Sequence, residues 1–211
     1  MGEAEVDLKI ILLGASGVGK TTFVNKVIYN KFEEKPETTL GASYLEKKYL
    51  SSLGSEYNFG IWDTAGQERF DSISQFYCRN AGCALIVYDI TKKETFAKLD
   101  RFVDKLQHAK PDVFTIIIGT KLDMVEETKT MREVKPEEGQ ARAKTLNAEF
   151  FEISSKTGYN IDKVWEAIGK GYEKSLIRKG RQPANSNSNT NSNTTVKVKD
   201  ISTKKGKSGC C

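Results

Sequence analysis

No apolar run in this 211-residue chain approaches the ~20 residues that a bilayer-spanning helix needs; the longest are LKIILL, CALIVY and TIIIG. The opening MGEAEVDL is acidic and has no apolar block, so no secretory leader is expected. Val6 stands where N-myristoylation at Gly2 would want Ser or Thr. Cysteine is scarce, with Cys78 and Cys83 in aromatic and apolar surroundings and Cys210 and Cys211 at the end. A reducing compartment and no disulfide framework are therefore expected, with Cys78 and Cys83 read as core thiols. Histidine is scarcer still: His108 is the only one, on a predicted helix, and reads as a solvated surface residue.

Residues 1–180 also lack net charge, with 27 Lys and Arg against 27 Asp and Glu. The whole excess lies in 181–211, where Arg181, Lys197, Lys199, Lys204, Lys205 and Lys207 face Asp200 alone. A nucleic-acid reader would carry its basic patch on the folded domain. A basic terminus on a neutral domain reads instead as a membrane-attachment device, and no nucleic-acid partner is expected.

What the chain does have is an alternation of strand and helix signals. DLKIILL (7–13) is a nearly continuous apolar run, as a buried parallel strand should be. Phe23, Val24, Val27 and Ile28 follow at helical spacing in 20–32. ASYLEKKYL and EYNFGIW flank SSLGS as a hairpin. CALIVYDI (83–90), VFTIIIG (113–119) and EFFEI (149–153) read as further strands. Helices are expected over 95–109, from Pro136, and over 160–177 with Asn160 as cap. This order predicts an α/β fold: a six-stranded, mainly parallel sheet with one antiparallel strand and helices on both faces. The folded domain is expected over 6–178. Residues 179–211 read as a flexible low-complexity basic tail rich in Asn, Ser and Thr.

GASGVGKT (14–21) fits G-x-x-x-x-G-K-[ST] between a predicted strand and a predicted helix, the context that this motif requires. Gly14, Gly17 and Gly19 let the backbone turn its N–H groups inward, and the helix N-terminus adds partial positive charge. Ser16, Gly17, Val18, Gly19, Lys20, Thr21 and Thr22 are expected around the phosphates. Lys20 supplies the cation for the β- and γ-phosphates, and the Thr21 hydroxyl a ligand for Mg²⁺. In WDTAGQE (62–68), Asp63 is placed to hold Mg²⁺ through water. Gly66 leaves an N–H free for a γ-phosphate, and Gln67 is placed to orient an attacking water.

With TTLGASY, WDTAGQERFDSI, LIVYDIT, GTKLD, SSK and the terminal CC, the chain resembles small GTPases of the Ras superfamily, and among them the Rab family. The resemblance covers about residues 6–178 and the last two. It implies a switch that binds GTP or GDP with Mg²⁺ and hydrolyses GTP slowly, regulating vesicle traffic. By it, Thr39 ligates Mg²⁺ and the γ-phosphate, and Phe32 packs edge-on against the base. Tyr44, Trp62 and Tyr77 form an aromatic trio read by partners; Tyr44 stands where Phe is usual, and could equally be a hairpin aromatic of the core.

In GTKLD, a carboxylate at Asp123 can accept N1–H and the exocyclic amine of guanine, whereas adenine would leave it unpaired. The aliphatic stem of Lys121 is expected along the base plane. Ser154, Ser155 and Lys156 resemble the family's last base-binding loop. Thr120 departs from the usual Asn. Guanine selectivity is expected to survive this, with nucleotide affinity or exchange rate altered.

The first switch, NKFEEKPETT, contains no arginine, so Gln67 and Lys20 are expected to act slowly until a partner donates one. The resemblance implies effectors, an exchange factor, a GTPase-activating protein and escort or GDP-dissociation-inhibitor chaperones. Cys210 and Cys211 resemble the double-geranylgeranylation signal. The expected location is the cytosol and the cytoplasmic face of intracellular membranes, with TTLGASY leaning toward endosomal members. The competing readings are a Rho-like GTPase, another P-loop NTPase or kinase, and a nucleotide-binding adaptor that does not hydrolyse.

Overall fold

The computed structural model describes residues 6–34, 36–66, 76–110 and 113–180, and the backbone of 199–200. Six strands form one sheet in the order β6-β5-β4-β1-β3-β2: β1 (Leu8–Leu13), β2 (Ala42–Leu50), β3 (Glu56–Thr64), β4 (Cys83–Asp89), β5 (Phe114–Thr120) and β6 (Glu149–Glu152). All neighbouring pairs are parallel except β2–β3, the expected hairpin. A two-residue segment, Lys199–Asp200, lies antiparallel to Ser43 and Tyr44 on the outer edge of β2. Composition gives no sign of that pairing.

Side chains alternate across each strand, so the apolar run of β1 serves two cores at once. Ile10 and Leu12 join Phe23, Val24 and Val27 of α1 (Lys20–Tyr29) and Val164 and Ile168 of the last helix, Ile161–Arg178. Ile11 and Leu13 join Leu99, Phe102, Val103 and Leu106 on the other face. Helices therefore cover both faces, as a parallel sheet demands. Cys78 and Cys83 are buried in these layers, and His108 is exposed on its helix.

Some boundaries differ from the sequence reading. The single helix expected over 95–109 is two, α2 (Lys93–Ala97) and α3 (Leu99–Ala109), joined at Lys98. The Thr95 hydroxyl, bonded to the carbonyl of Lys92 and accepting the N–H of Asp89, ties α2 to the end of β4. Meanwhile α3 turns its apolar stripe onto the sheet. A short α4 (Leu122–Glu127) directly follows β5, then a 3₁₀ turn and α5 (Pro136–Thr145), with Pro136 in the expected first turn. Asn160 is the N-cap residue of α6 (Ile161–Arg178), as expected, and its carbonyl accepts the N–H of Val164, but its side chain makes no cap bond. Its backbone is left-handed, and its side-chain amide donates to the carbonyl of Glu152 instead.

Candidate functional site

At the carboxyl ends of the parallel strands, where open α/β sheets bind ligands, lies a cleft of about 590 Å³. It is within the size range of small-molecule sites. The turn between β1 and α1 forms one end. Gly17 and Gly19 there have φ of +74° and +96°, left-handed values that glycine adopts without steric cost. Lys20, only 5% exposed, opens α1 and curls back so that Nζ donates to the carbonyls of Gly14 and Ala15, each at 2.9 Å. Two carbonyls do not neutralise an ammonium, and burial pulls its pKa down to about 8 despite the opposing pull of Asp63. The turn is thus a cation held ready for an anion.

Three oxygen-bearing residues from separate elements meet beside it. Thr21 Oγ1 donates to Asp63 Oδ2 at 2.6 Å and lies 2.8 Å from Thr39 Oγ1, which is 3.5 Å from the same carboxylate oxygen. Burial pushes the pKa of Asp63 up, against the hydrogen bond from Thr21 and the charge of Lys20. Its other oxygen, Oδ1, is buried without a hydrogen-bond partner. An orphaned carboxylate oxygen and two hydroxyls make a hard, all-oxygen donor set that fits Mg²⁺, which commonly completes its shell with water and substrate phosphate. Among the described residues there is no cluster of three His, Cys, Asp or Glu side chains that could hold a different metal.

Gly66 packs against the same turn. A Cβ there would fall 2.4 Å from the backbone carbon of Ala15 and 2.5 Å from the nitrogen of Ser16, so only glycine fits this approach. Gln67 lies outside the described residues, as do Cys210 and Cys211.

The other end of the cleft is built by the ends of β5 and β6. Asp123, in the first turn of α4, is 9% exposed and accepts a 2.6 Å hydrogen bond from Ser154 Oγ on Oδ1. Ser154 is wholly buried behind it and does not face the cleft; Ser155 and Lys156 do. Lys156 pairs with Glu127 at 2.8 Å. Phe32, 42% exposed, lies along the rim. The Ser16, Gly17, Gly19, Lys20, Thr21, Thr22, Thr39, Gly66, Thr120, Lys121 and Asp123 of the sequence reading all line the cleft.

Val18, wholly buried, does not line it. Its carbonyl instead accepts the Thr120 hydroxyl at 2.6 Å, a second acceptor being Tyr88 at 3.0 Å. Thr120 therefore braces the glycine-rich turn 14–21. Lys121 takes a left-handed backbone, φ +68°, and pairs with buried Asp89 at 2.6 Å. Sequence reasoning missed Asp89, which falls inside the strand expected over 83–90 and reads simply as part of it.

On the outer face of the hairpin, Tyr44 packs on Trp62 with ring centroids 4.6 Å apart, and Lys9 sits over the Trp62 ring. Tyr44 is half-buried and belongs to neither core, and its hydroxyl donates to Glu46. Tyr77 packs edge-on against Phe76, which is largely exposed.

The Ras family model matches residues 9–174. The chain is 33% identical to Ras-related protein Rab-24 of Dictyostelium discoideum over 211 residues, the full length of both. It is 37% identical to GTP-binding protein ypt5 of Schizosaccharomyces pombe over 166 residues, 78% of this chain and 77% of that one. It is 38% identical to Ras-related protein Rab-22A of Homo sapiens over 167 residues, 78% of this chain and 82% of that one. A sheet hydrogen-bonded in this order, a glycine-rich turn beside its central strand and likeness along the whole domain lead to one conclusion: the chain belongs to the Ras family, as a Rab-type small GTPase that binds GTP or GDP with Mg²⁺ and regulates membrane traffic.

Proposed function

We propose that the cleft holds a guanine nucleotide with its phosphates on the turn 14–21 and its base against Asp123, and that this chain's GTP hydrolysis times a membrane-bound switch. The observation that carries the reading is that Lys20, Thr21, Thr39 and Asp123 line one cleft, with the buried Asp63 hydrogen-bonded behind the two threonines. Cation and Mg²⁺ donors match a polyphosphate, and the carboxylate matches the two donors on the guanine edge. A P-loop kinase or ATPase would have no use for that carboxylate.

In this reading Lys20 neutralises charge on the phosphate oxygens, Gly66 offers its N–H to the γ-phosphate, and Gln67 orients the attacking water. Thr21, Thr39 and Asp63 would hold Mg²⁺, which when bound supplies further charge neutralisation at the β- and γ-oxygens. No arginine occurs in residues 30–39, so turnover is slow, on the order of 10⁻⁴ s⁻¹, until an activating protein supplies one, a gain of about 10⁵-fold in Ras-type enzymes. While GTP is bound, Thr39 and Gly66 tie their two loops to the γ-phosphate, and effectors read the tied form on the face of Tyr44, Trp62 and Tyr77. An exchange factor resets the switch.

Membrane attachment fits this chemistry. No helix among the described residues is long and apolar enough to span a bilayer. Two prenyl chains on Cys210 and Cys211 would anchor where one is marginal, the neighbouring lysines would add attraction to an anionic leaflet, and escort or GDP-dissociation-inhibitor chaperones would shield the lipids. The TTLGASY segment, which leans toward endosomal members, favours an endocytic step.

The test uses stripped, purified protein. Calorimetry with Mg²⁺ should show tight GDP binding and none for ADP; absence of heat with GDP ends the reading. Single-turnover phosphate release should be slow and should fall further in Gln67→Leu. In cells, the Cys210→Ser/Cys211→Ser chain should move from membrane to cytosol, and a tagged wild-type chain should mark endosomes.

A further inference from the structure

We propose that Asp89 is the positioning residue that fixes Lys121 as the floor beneath the purine ring, a task made more demanding by the threonine at 120. This rests on the nucleotide placement given above. Asp89 ends β4 directly opposite Thr120 of β5 in the parallel register, and it is wholly buried. Oδ1 accepts the backbone N–H of Thr91 at 2.9 Å and its hydroxyl at 2.7 Å. Oδ2 lies 2.6 Å from Lys121 Nζ. The carboxylate is thus clamped by its own turn and presents its remaining oxygen to one ammonium.

The consequence falls on Lys121. Its left-handed Cα is fixed at the mouth of β5 and its ammonium at the mouth of β4, so the four-carbon stem is strung between two strand ends. Such a stem offers an apolar surface to a flat ring. The rotamer freedom of a lysine is then lost on folding rather than when the nucleotide arrives, which is preorganisation. Two other acidic groups at this end of the cleft are engaged elsewhere, Asp123 by Ser154 and Glu127 by Lys156.

Thr120 gives the arrangement its weight. Its single hydroxyl proton is committed to the backbone carbonyls of Val18 and Tyr88. It has no second donor to extend to the base. The stem of Lys121 therefore carries more of the contact with the purine face.

The experiment measures release of fluorescent GDP and of a non-hydrolysable fluorescent GTP analogue from the full chain. Asp89→Asn preserves shape and the ability to accept from Thr91 but removes the charge. It should speed release of both nucleotides by the same factor, roughly tenfold, equivalent to about 1.4 kcal/mol. Lys121→Met keeps a flexible apolar stem without the ammonium and should act similarly. The double variant should release no faster than the faster single one, since both remove one interaction. Thr91→Val, which spares the ion pair, should stay within about twofold of wild type on the same energy scale.

A merely structural Asp89 would lower the melting temperature without moving the release rates. Unchanged release in Asp89→Asn or Lys121→Met overturns the proposal. So does multiplication of the two effects, or a Thr91→Val variant as fast as Asp89→Asn. Should Asp89→Asn not fold, Lys121→Met still decides. Failure of the wild-type chain to retain GDP at all would overturn the parent reading, and this one with it.

Discussion

Thr120 and Val18 stand 102 positions apart in the chain, yet the hydroxyl of one donates to the carbonyl of the other across 2.6 Å of buried space. The bond joins the strand end that leads to Lys121 and Asp123 to the glycine-rich turn 14–21. Replacing Thr120 with Val removes the donor at nearly constant volume and leaves the Val18 carbonyl buried. A cost of about 1–3 kcal/mol is expected, read as a lower melting temperature and faster GDP release. Thr120→Ser, which keeps the hydroxyl, should retain most of both.

With the proposed phosphate contact, Lys20 should make nucleotide affinity depend on pH. Its pKa in the nucleotide-free fold is about 8, down from 10.5, because burial disfavours the ammonium. Between those values the unfolded chain binds a proton that the folded one has released, so stability of the empty protein rises with pH across that window. Phosphate binding requires the ammonium. GDP affinity should accordingly fall roughly fourfold between pH 7 and 8.5 as the proton must be taken up again. Calorimetry in buffers of different ionisation heat should detect that uptake at pH 8.5.

Asp63 should carry the response to Mg²⁺. In Asp63→Asn the Thr21 hydroxyl keeps a partner, but the charge that faces the cation is gone. GDP plus Mg²⁺ raises the melting temperature of wild type by mass action. The variant should lose most of the difference between Mg²⁺ and EDTA, as measured by thermal shift.

Asp123→Asn should change which purine is accepted. The amide offers one donor and one acceptor where guanine needs two acceptors. Xanthine, with a carbonyl in place of the amine, satisfies that pair. Preference for GDP over XDP should invert, with GDP weakened on the order of 10²–10⁴-fold. Competition against a fluorescent nucleotide measures the ratio.

Gly169 tests the packing of α6. Alanine is the better helix former by about 1 kcal/mol, so propensity alone predicts stabilisation. A Cβ at this position would fall 2.0 Å from the ring of Tyr49, which is stacked on Phe59. Overpacking of this kind costs about 1–3 kcal/mol, and Gly169→Ala should melt at a lower temperature. Gly169→Ala with Tyr49→Leu should recover part of the loss.

Features that depend on neighbours in the chain were legible from the residues. The turn 14–21 needs only its own glycines, a lysine and a following helix. Continuous apolar runs announce buried strands because both faces are covered. Asp123 was readable because it stands two residues past Lys121 at the end of such a run. The place of Asn160 at the start of α6 was legible, but not that its amide is drawn to the end of β6 instead of the first turn. The break at Lys98 escaped because the periodicity of α2 and α3 is continuous; what sets α2 apart is the contact of Thr95 with the end of β4.

The sequence by itself determined the layered α/β plan, the phosphate turn, the separation of a neutral domain from a basic tail, and the chemistry of each candidate group. Only the tertiary structure decided that Thr120 supports Val18, that Ser154 stands behind Asp123, and that Asp89 holds Lys121. Periodicity and motif spacing are properties of a few consecutive residues. A hydrogen bond between two strand ends exists only after the sheet has set their register.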